Sequence, residues 1–315
     1  VNLSVVFVGT AGSTPTARRG LASLLIRRGA DQLLIDCGEG TQRQLIRSTG
    51  LADLEHIFLT HYHADHIFGL PGMLKTFSLR GREAPLTIYG PPGLERTFAE
   101  LSSLIGRLPF DVDLYELRPG EELGFKGFRV HGFEVDHRGR AFGYTLVEQD
   151  RPGFFDEARA RELGVAPGPD FGVLQRGGEV IGSAGAVVVS ADVVGEARRG
   201  RRFVYTGDTA PCPNTVVEAR GADLLVHEST FGDDERDRAA ETGHSTARQA
   251  AEIAREAGVE LLCLTHVSGR YFGKELRAQA REVFPGTELP RDFDVVELPF
   301  PERGTPYLQK NESPA

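Results

Sequence analysis

Short apolar runs separated by polar stretches recur along the whole chain: residues 3–9, 22–28, 32–36, 56–60, 86–90, 128–136, 142–148, 202–208, 223–227, 260–266 and 292–299. Their length and their Val, Ile, Leu and Phe content predict β-strands, many of them buried on both faces. Between them, a spacing of apolar positions closer to 3.6 predicts helices over 41–50, 67–79, 93–106, 245–258 and 273–284. Thr246 and Gln249 fit a capping box at the start of the fourth helix, and Gly258 supplies its stop. Alternating strands and helices predict an α/β protein. Two segments break the rhythm. Residues from about 150 to 182 are rich in Gly, Pro and Arg, carry a short helical run over 156–163, and read as an inserted arm. The segment from Pro301 to the end is polar and reads as a fraying tail, leaving residues 1–300 as one domain around the arm.

One stretch carries concentrated chemistry. His61-Tyr-His63-Ala-Asp65-His66 follows the apolar run Ile57–Thr60 and enters the helix that begins near Ile67. Imidazole nitrogens and carboxylate oxygens are the donors that zinc favours. His61 and His63 can share one face of an extended segment, while Asp65 and His66 at the helix entry can point to a second position. Other runs end in the same way: residues 133–136 lead into His137, 204–207 into Asp208, 223–226 into His227 and 262–265 into His266. Side by side, such ends would form one rim of metal-binding groups, as ligand sites commonly do at strand C-termini. A lone His at a strand end is more often structural, and His56 and His131 are assigned no chemistry.

Composition narrows the setting. No apolar run approaches the roughly 20 residues a membrane span needs, and the first residues read as a strand and not a signal peptide. Three scattered cysteines (Cys37, Cys212, Cys263) suggest a reducing compartment, the cytoplasm by default. A formal net charge of −9 argues against a general nucleic-acid binder, unless bound cations supply local positive charge.

At these residues the chain resembles the metallo-β-lactamase superfamily, with its His-x-His-x-Asp-His hallmark, and within it the ribonuclease Z family of tRNA 3′-processing endonucleases. The more discriminating pieces are the runs 66–74 and 85–93, His137 with Gly143-Tyr144, Tyr205–Thr209, His227–Phe231 and Gly243–Thr246. The resemblance implies an αββα sandwich of two mixed sheets with a protruding exosite arm and two zinc ions per subunit, manganese or iron being alternatives, with no nucleotide cofactor. It implies His61, His63 and His137 at one ion, Asp65, His66 and His266 at the other, and Asp208 between them. Asp65 would act as proton acceptor and His244 as proton donor, with Glu228 or His227 orienting neighbours. The substrate implied is precursor tRNA, cut hydrolytically to leave a 3′-hydroxyl on the tRNA and a 5′-phosphate on the trailer, by a homodimer. Gly168-Pro169 matches the arm's Gly-Pro element, so that Arg151, Arg159, Arg161 and Arg176 would meet the tRNA backbone; Arg198–Arg202 could add basic surface. Near the start, where the family often has Pro-x-Lys-x-Arg-Asn, this chain has Pro15-Thr-Ala17-Arg-Arg19-Gly20. Arg19 fits this substrate-sensing pattern, whereas Ala17 and Gly20 depart from it and leave discrimination against mature CCA ends open. The alternatives are another binuclear hydrolase on the same scaffold, a small-molecule phosphodiesterase or an arylsulfatase-like enzyme, and a non-catalytic metal- or RNA-binding protein.

Overall fold

The computed structural model describes residues 1–51 and 54–311. It divides into two compact units, one formed by residues 1–147 with 202–315 and the other by Glu148–Arg201. The first unit holds two mixed sheets. In spatial order, the strands of one are Tyr307–Gln309, Val295–Glu297, Leu3–Gly9, Ser23–Arg28, Asp31–Ile35, His56–Phe58, Leu86–Gly90 and Val112–Glu116. Those of the other are Thr287–Glu288, Leu261–Thr265, Leu224–Glu228, Arg202–Tyr205, Phe142–Glu148, Phe128–Glu134 and Glu122–Phe125.

The strands alternate their side chains between two cores. Phe7, Phe58, Tyr144, Phe203, Val226 and Cys263 belong to one cluster shared by both sheets. Val6, Ile57 and Ile88 turn the other way, onto Leu45, Met73 and Leu94 of the first sheet's helices. Leu225 and Leu262 pack against the Ala-rich face of the helix Ala247–Ala257. The result is the expected αββα sandwich. The cap at Thr246 forms, with Thr246 Oγ1 accepting from the Gln249 amide at 3.2 Å and Gln249 Oε1 from the Thr246 amide at 2.9 Å. Gly258 ends that helix with φ of 64°.

Two neighbouring parallel sets fix where chemistry can gather. Asp31–Ile35, His56–Phe58 and Leu86–Gly90 run parallel in one sheet. Arg202–Tyr205, Leu224–Glu228 and Leu261–Thr265 run parallel in the other. Among the described residues no helix is long and apolar enough to cross a membrane.

Some elements carry no clear apolar run in the sequence. The strands Val112–Glu116 and Glu122–Phe125 lie at sheet edges and are half solvated, so their residues alternate instead. The C-terminal segment departs from the fraying tail expected of it. Tyr307–Gln309 pairs antiparallel with Val295–Glu297, because Leu308 packs on the inter-sheet core while Tyr307 faces solvent. Residues 312–315 of that segment lie outside the described residues.

The second unit, longer than the 150–182 segment singled out by composition, has a core of its own made of Ala160, Val165, Leu174, Val188 and Val193. It contains the helices Glu157–Glu162 and Pro169–Gln175 and the hairpin of Glu179–Ile181 with Val187–Val189. Its two ends are joined by a buried ion pair. Arg201 Nε donates to Glu148 Oε2 at 2.6 Å and Arg201 Nη2 to Oε1 at 2.8 Å, with the residues 1% and 4% exposed. Arg201→Met strands the Glu148 carboxylate in a buried site and is expected to cost about 3–5 kcal/mol. The double variant Glu148→Met/Arg201→Met should recover most of that loss. Urea denaturation of the three proteins checks both, and equal losses in single and double variants would contradict the ion-pair account.

Candidate metal centre

The strand ends converge as the sequence suggested. His61 Nε2 lies 2.9 Å from His63 Nδ1, and His137 Nε2 lies 3.2 Å from the same atom. Each flanking ring is fixed from its far side. Thr60 Oγ1 spends its hydrogen on Asp36, so His61 Nδ1 donates to that oxygen at 3.0 Å; His137 Nδ1 donates to the Gly243 carbonyl at 2.7 Å. In the neutral ring this leaves the lone pair on Nε2, facing the same point from both sides, the tautomer that a metal ligand requires.

A second group adjoins the first. His266 Nε2 is 3.3 Å from Asp65 Oδ2 and 3.3 Å from Asp208 Oδ1, and His66 Nε2 is 3.4 Å from Asp208 Oδ2. His66 Nδ1 donates to Asp36 at 2.8 Å, and His266 Nδ1 to the Thr230 hydroxyl at 2.9 Å. Asp208 Oδ2 also lies 3.8 Å from His61 Nε2, which puts this carboxylate within reach of both groups. Among the described residues, His66 Nε2 and Asp208 Oδ1 are buried with no hydrogen-bond partner. Lone pairs aimed at each other and buried polar atoms without partners are costly unless a cation lies between them. The donor set fits a metal site, and the ligand atoms of each group lie within 4.8 Å of one another.

Electrostatics agree. Burial raises the pKa of Asp208, but His266 and His66 outweigh it and hold the carboxyl well below its ordinary range. Asp65 follows the same balance through His266 and His66, and the Ser13 amide donates to its Oδ2 at 2.8 Å. Burial pushes the His61 imidazole down, with the charge of His66 acting in the same direction. For His244, burial disfavours the imidazolium, but Glu228 at 2.7 Å, helped by Asp208 and Asp65, raises it to about 9. Glu228 is itself clamped by the Thr209 amide at 2.9 Å and the Thr230 hydroxyl at 2.6 Å.

The backbone is bent to make this geometry. Among the described residues four non-glycines have positive φ: Ser13 (60°), Asp36 (59°), His266 (56°) and Phe293 (74°). Three carry groups that touch the centre or its ligands, a concentration typical of functional sites. Gly12 is required at its position, because a Cβ there would sit 2.4 Å from His266 Nδ1.

Not every expected residue arrives. His227 is fully buried, its Nδ1 donates to the Glu228 carbonyl, and it belongs to neither ligand group. Strand alternation sends Glu228 to the centre, where it bonds His244, and its neighbour His227 to the opposite face. Arg19 is half-buried and drawn inward, its Nη1 donating to Thr10 Oγ1 at 2.6 Å and to the Pro290 carbonyl at 2.9 Å. In the second unit, Arg159 pairs with Glu162 at 3.0 Å and Arg161 Nε bonds Glu157 at 2.9 Å. Arg151 joins Arg198 through backbone bonds, Gly168 precedes and Pro169 opens the helix Pro169–Gln175, and Arg176 is exposed at its end. The run 198–202 is largely internal, with Arg198 over Phe154, Arg201 on Glu148 and Arg202 on Glu218. His56 meets Phe125 edge-on and His131 pairs with Glu218 at 2.8 Å, both outside the centre. Asp36, Ser13 and Thr230 escaped notice; only Asp36, a carboxylate closing an apolar strand, shared the pattern that marked the other ligands.

Comparison with known proteins follows the same lines. Residues 18–266 match the family model described as the metallo-beta-lactamase superfamily. The chain is 48% identical over 303 residues to the ribonuclease Z of Myxococcus xanthus, covering 95% of this chain and 98% of that protein. It is 46% identical to the ribonuclease Z of Halorubrum lacusprofundi, covering 96% and 99%. The crystal structure of the short form of human tRNase Z superposes with a TM-score of 0.67 at 28% identity, over 94% of this chain and 99% of that one. The fold protein YhfI of Bacillus subtilis gives a TM-score of 0.70 over 95% and 100%, and at 22% identity speaks to the fold alone. On the strength of these end-to-end likenesses, the chain belongs to the ribonuclease Z family of the metallo-β-lactamase superfamily.

Proposed function

We propose that this protein is a metal-dependent endoribonuclease that removes the 3′ trailer from precursor tRNA. It breaks the P–O3′ bond, leaving a 3′-hydroxyl on the tRNA and a 5′-phosphate on the trailer. The observation that carries this reading is the convergence of unprotonated imidazoles and partnerless buried atoms on two adjoining positions. The names of its relatives supply the substrate. His61, His63 and His137 would hold one ion, Asp65, His66 and His266 the other, with Asp208 shared. Zinc suits these donors best, and manganese and iron are accepted by the same chemistry. When bound, two such ions neutralise charge on the phosphodiester and make water a better nucleophile.

The chain's own groups divide the proton work. Asp65, held ionised by its neighbours, orients the attacking water and accepts its proton. His244, kept charged by Glu228, donates a proton to the departing O3′. The unit Glu148–Arg201 serves as the tRNA-binding arm, with the exposed Arg176 as its candidate backbone contact, while Arg159 and Arg161 sit in local ion pairs with Glu162 and Glu157. The enzyme acts as a cytoplasmic homodimer, in keeping with the family likeness.

Chelation should abolish cleavage of a precursor tRNA, and zinc or manganese should restore it. Mapping the 3′ ends from precursors with and without an encoded CCA fixes the cut, and binding without cleavage in the resupplied enzyme would defeat the proposal. His244→Ala is expected to lower kcat by about 10²–10⁴-fold. A general acid works only while protonated, so activity declines as pH rises through its pKa. Glu228→Gln removes the partner that raises that pKa and should move the alkaline limb of the pH–rate profile to lower pH; an unmoved limb would take His244 out of this role. Val147 and Arg202 are cross-strand partners, so an Asn-Gly turn can replace the whole 148–201 unit. That variant should still hydrolyse a small nitrophenyl phosphodiester while losing cleavage of precursor tRNA. Equal loss of both activities would refute a tRNA-specific arm.

A further inference from the structure

The loop Thr10–Gly20 touches the metal centre twice. Its Ser13 amide donates to Asp65 Oδ2 at 2.8 Å, and its Gly12 lies so close to His266 that no side chain could be added there. Ser13 holds φ of 60°, a conformation that is unfavourable for a non-glycine residue and persists only when the surroundings enforce it. The loop's tip does not do so: residues 13–18 are exposed.

The enforcement comes from a carboxylate far away in the sequence. Asp292 Oδ1 accepts from the Thr10 hydroxyl at 2.6 Å, and its Oδ2 accepts from the Gly20 amide at 2.6 Å and from Gln44 Nε2 at 2.6 Å. The first and last residues of the loop are thus tied to one side chain. Arg19 completes the knot, donating to the same Thr10 hydroxyl and to the Pro290 carbonyl. The knot is strained at its own base as well, since Phe293 has φ of 74° while its amide donates to the Phe7 carbonyl at 2.6 Å. Thr10 is fully buried, and its carbonyl accepts from the Val267 amide at 2.9 Å, next to His266.

We infer that Asp292 is a positioning residue for the metal centre: by tying both ends of the Thr10–Gly20 loop it holds the Ser13 amide on Asp65 and the loop backbone against His266. The inference rests on the two-metal reading above. It also gives Arg19 a task, as a brace for Thr10. Asp292 touches neither reacting atoms nor a ligand; it acts through the loop. Loss of an outer partner of a metal ligand typically lowers metal affinity or activity about 10–100-fold.

The test uses the full chain and compares wild type with Asp292→Ala, Thr10→Val and Thr10→Ser. Bound zinc is counted after dialysis, then followed through a chelator titration, alongside kcat and KM on a precursor tRNA and the thermal midpoint. Asp292→Ala should release one of two zinc ions at roughly 10–100-fold lower chelator concentration than wild type, and should lower kcat with KM little changed. Thr10→Val should move both readouts in the same direction, and Thr10→Ser, which restores the hydroxyl, should return them to wild-type values. If Asp292→Ala does not fold, the Thr10 pair decides. A folded Asp292→Ala or Thr10→Val with a lowered thermal midpoint but wild-type zinc retention and kcat would overturn the inference, leaving the knot as fold stabilisation only. A wild-type protein that takes up no zinc would instead overturn the two-metal reading, and the inference with it.

Discussion

Imidazole nitrogens that face one another, beside buried carboxylate and imidazole atoms with no hydrogen-bond partner, are satisfied best by a cation between them. His61, His63 and His137 bring ring nitrogens to within 2.9–3.2 Å of each other, and His66 and Asp208 bury atoms that find no hydrogen bond among the described residues. Four of the rings, those of His61, His66, His137 and His266, are held from behind. Asp36, Thr60, Thr230 and the Gly243 carbonyl each accept an imidazole hydrogen, and they thereby decide which nitrogen faces inward. The sandwich exists, in this sense, to hold those acceptors still. Its parallel strands end at one rim, and the backbone there is forced into positive φ at Asp36 and His266. The large core between the sheets supplies the stability against which that strain is set.

Most of this was legible in the sequence because the ligands are delivered by a repeated local device, an apolar strand that ends in a His or an Asp. What the device does not encode is which of two adjacent polar residues turns inward at the strand end. His227 and Glu228 both occupy such an end, and the pleat gives the site to Glu228. Arg19 misled for another reason. A cation in an exposed-looking loop reads as a substrate contact until Thr10 and Pro290 are seen to hold it. Asp292 was unreadable in principle, since its partners lie 248 to 282 positions away and no spacing rule connects them. The last strand was missed because Leu308 is the one residue of Tyr307–Gln309 that packs on the core.

The arm poses a sharper question than its composition suggested. Residues 148–201 contain nine acidic and seven basic side chains, and Arg159, Arg161 and Arg201 are engaged by carboxylates of the same unit. On the proposed reading, RNA recognition by this unit would then not rest on a net positive field. The unit folds around its own small core, so the surface it offers has a fixed shape. Recognition of an A-form helix depends on such shape more than on base edges. On the proposed reading, a unit folded around its own core would meet that requirement, whereas a flexible basic tail would add affinity without register.

The departure from the family pattern at residues 15–20 can be weighed in the same terms. Gly20 stands where the family often has Asn, and a Cβ there would lie 3.0 Å from Gln44 Nε2, the group that bonds Asp292. Glycine at that position makes room for the Gln44–Asp292 contact, so the base of the loop is secured by a different set of atoms. Ala17 is another matter. It sits on the exposed tip, where the family's lysine would place a cation, and nothing in the knot replaces that charge. Loss of a tip charge leaves Ser13 on Asp65 and changes only what the loop shows to an incoming RNA end. The contacts that secure the base of the loop are therefore separate from the side chains that its tip shows to solvent.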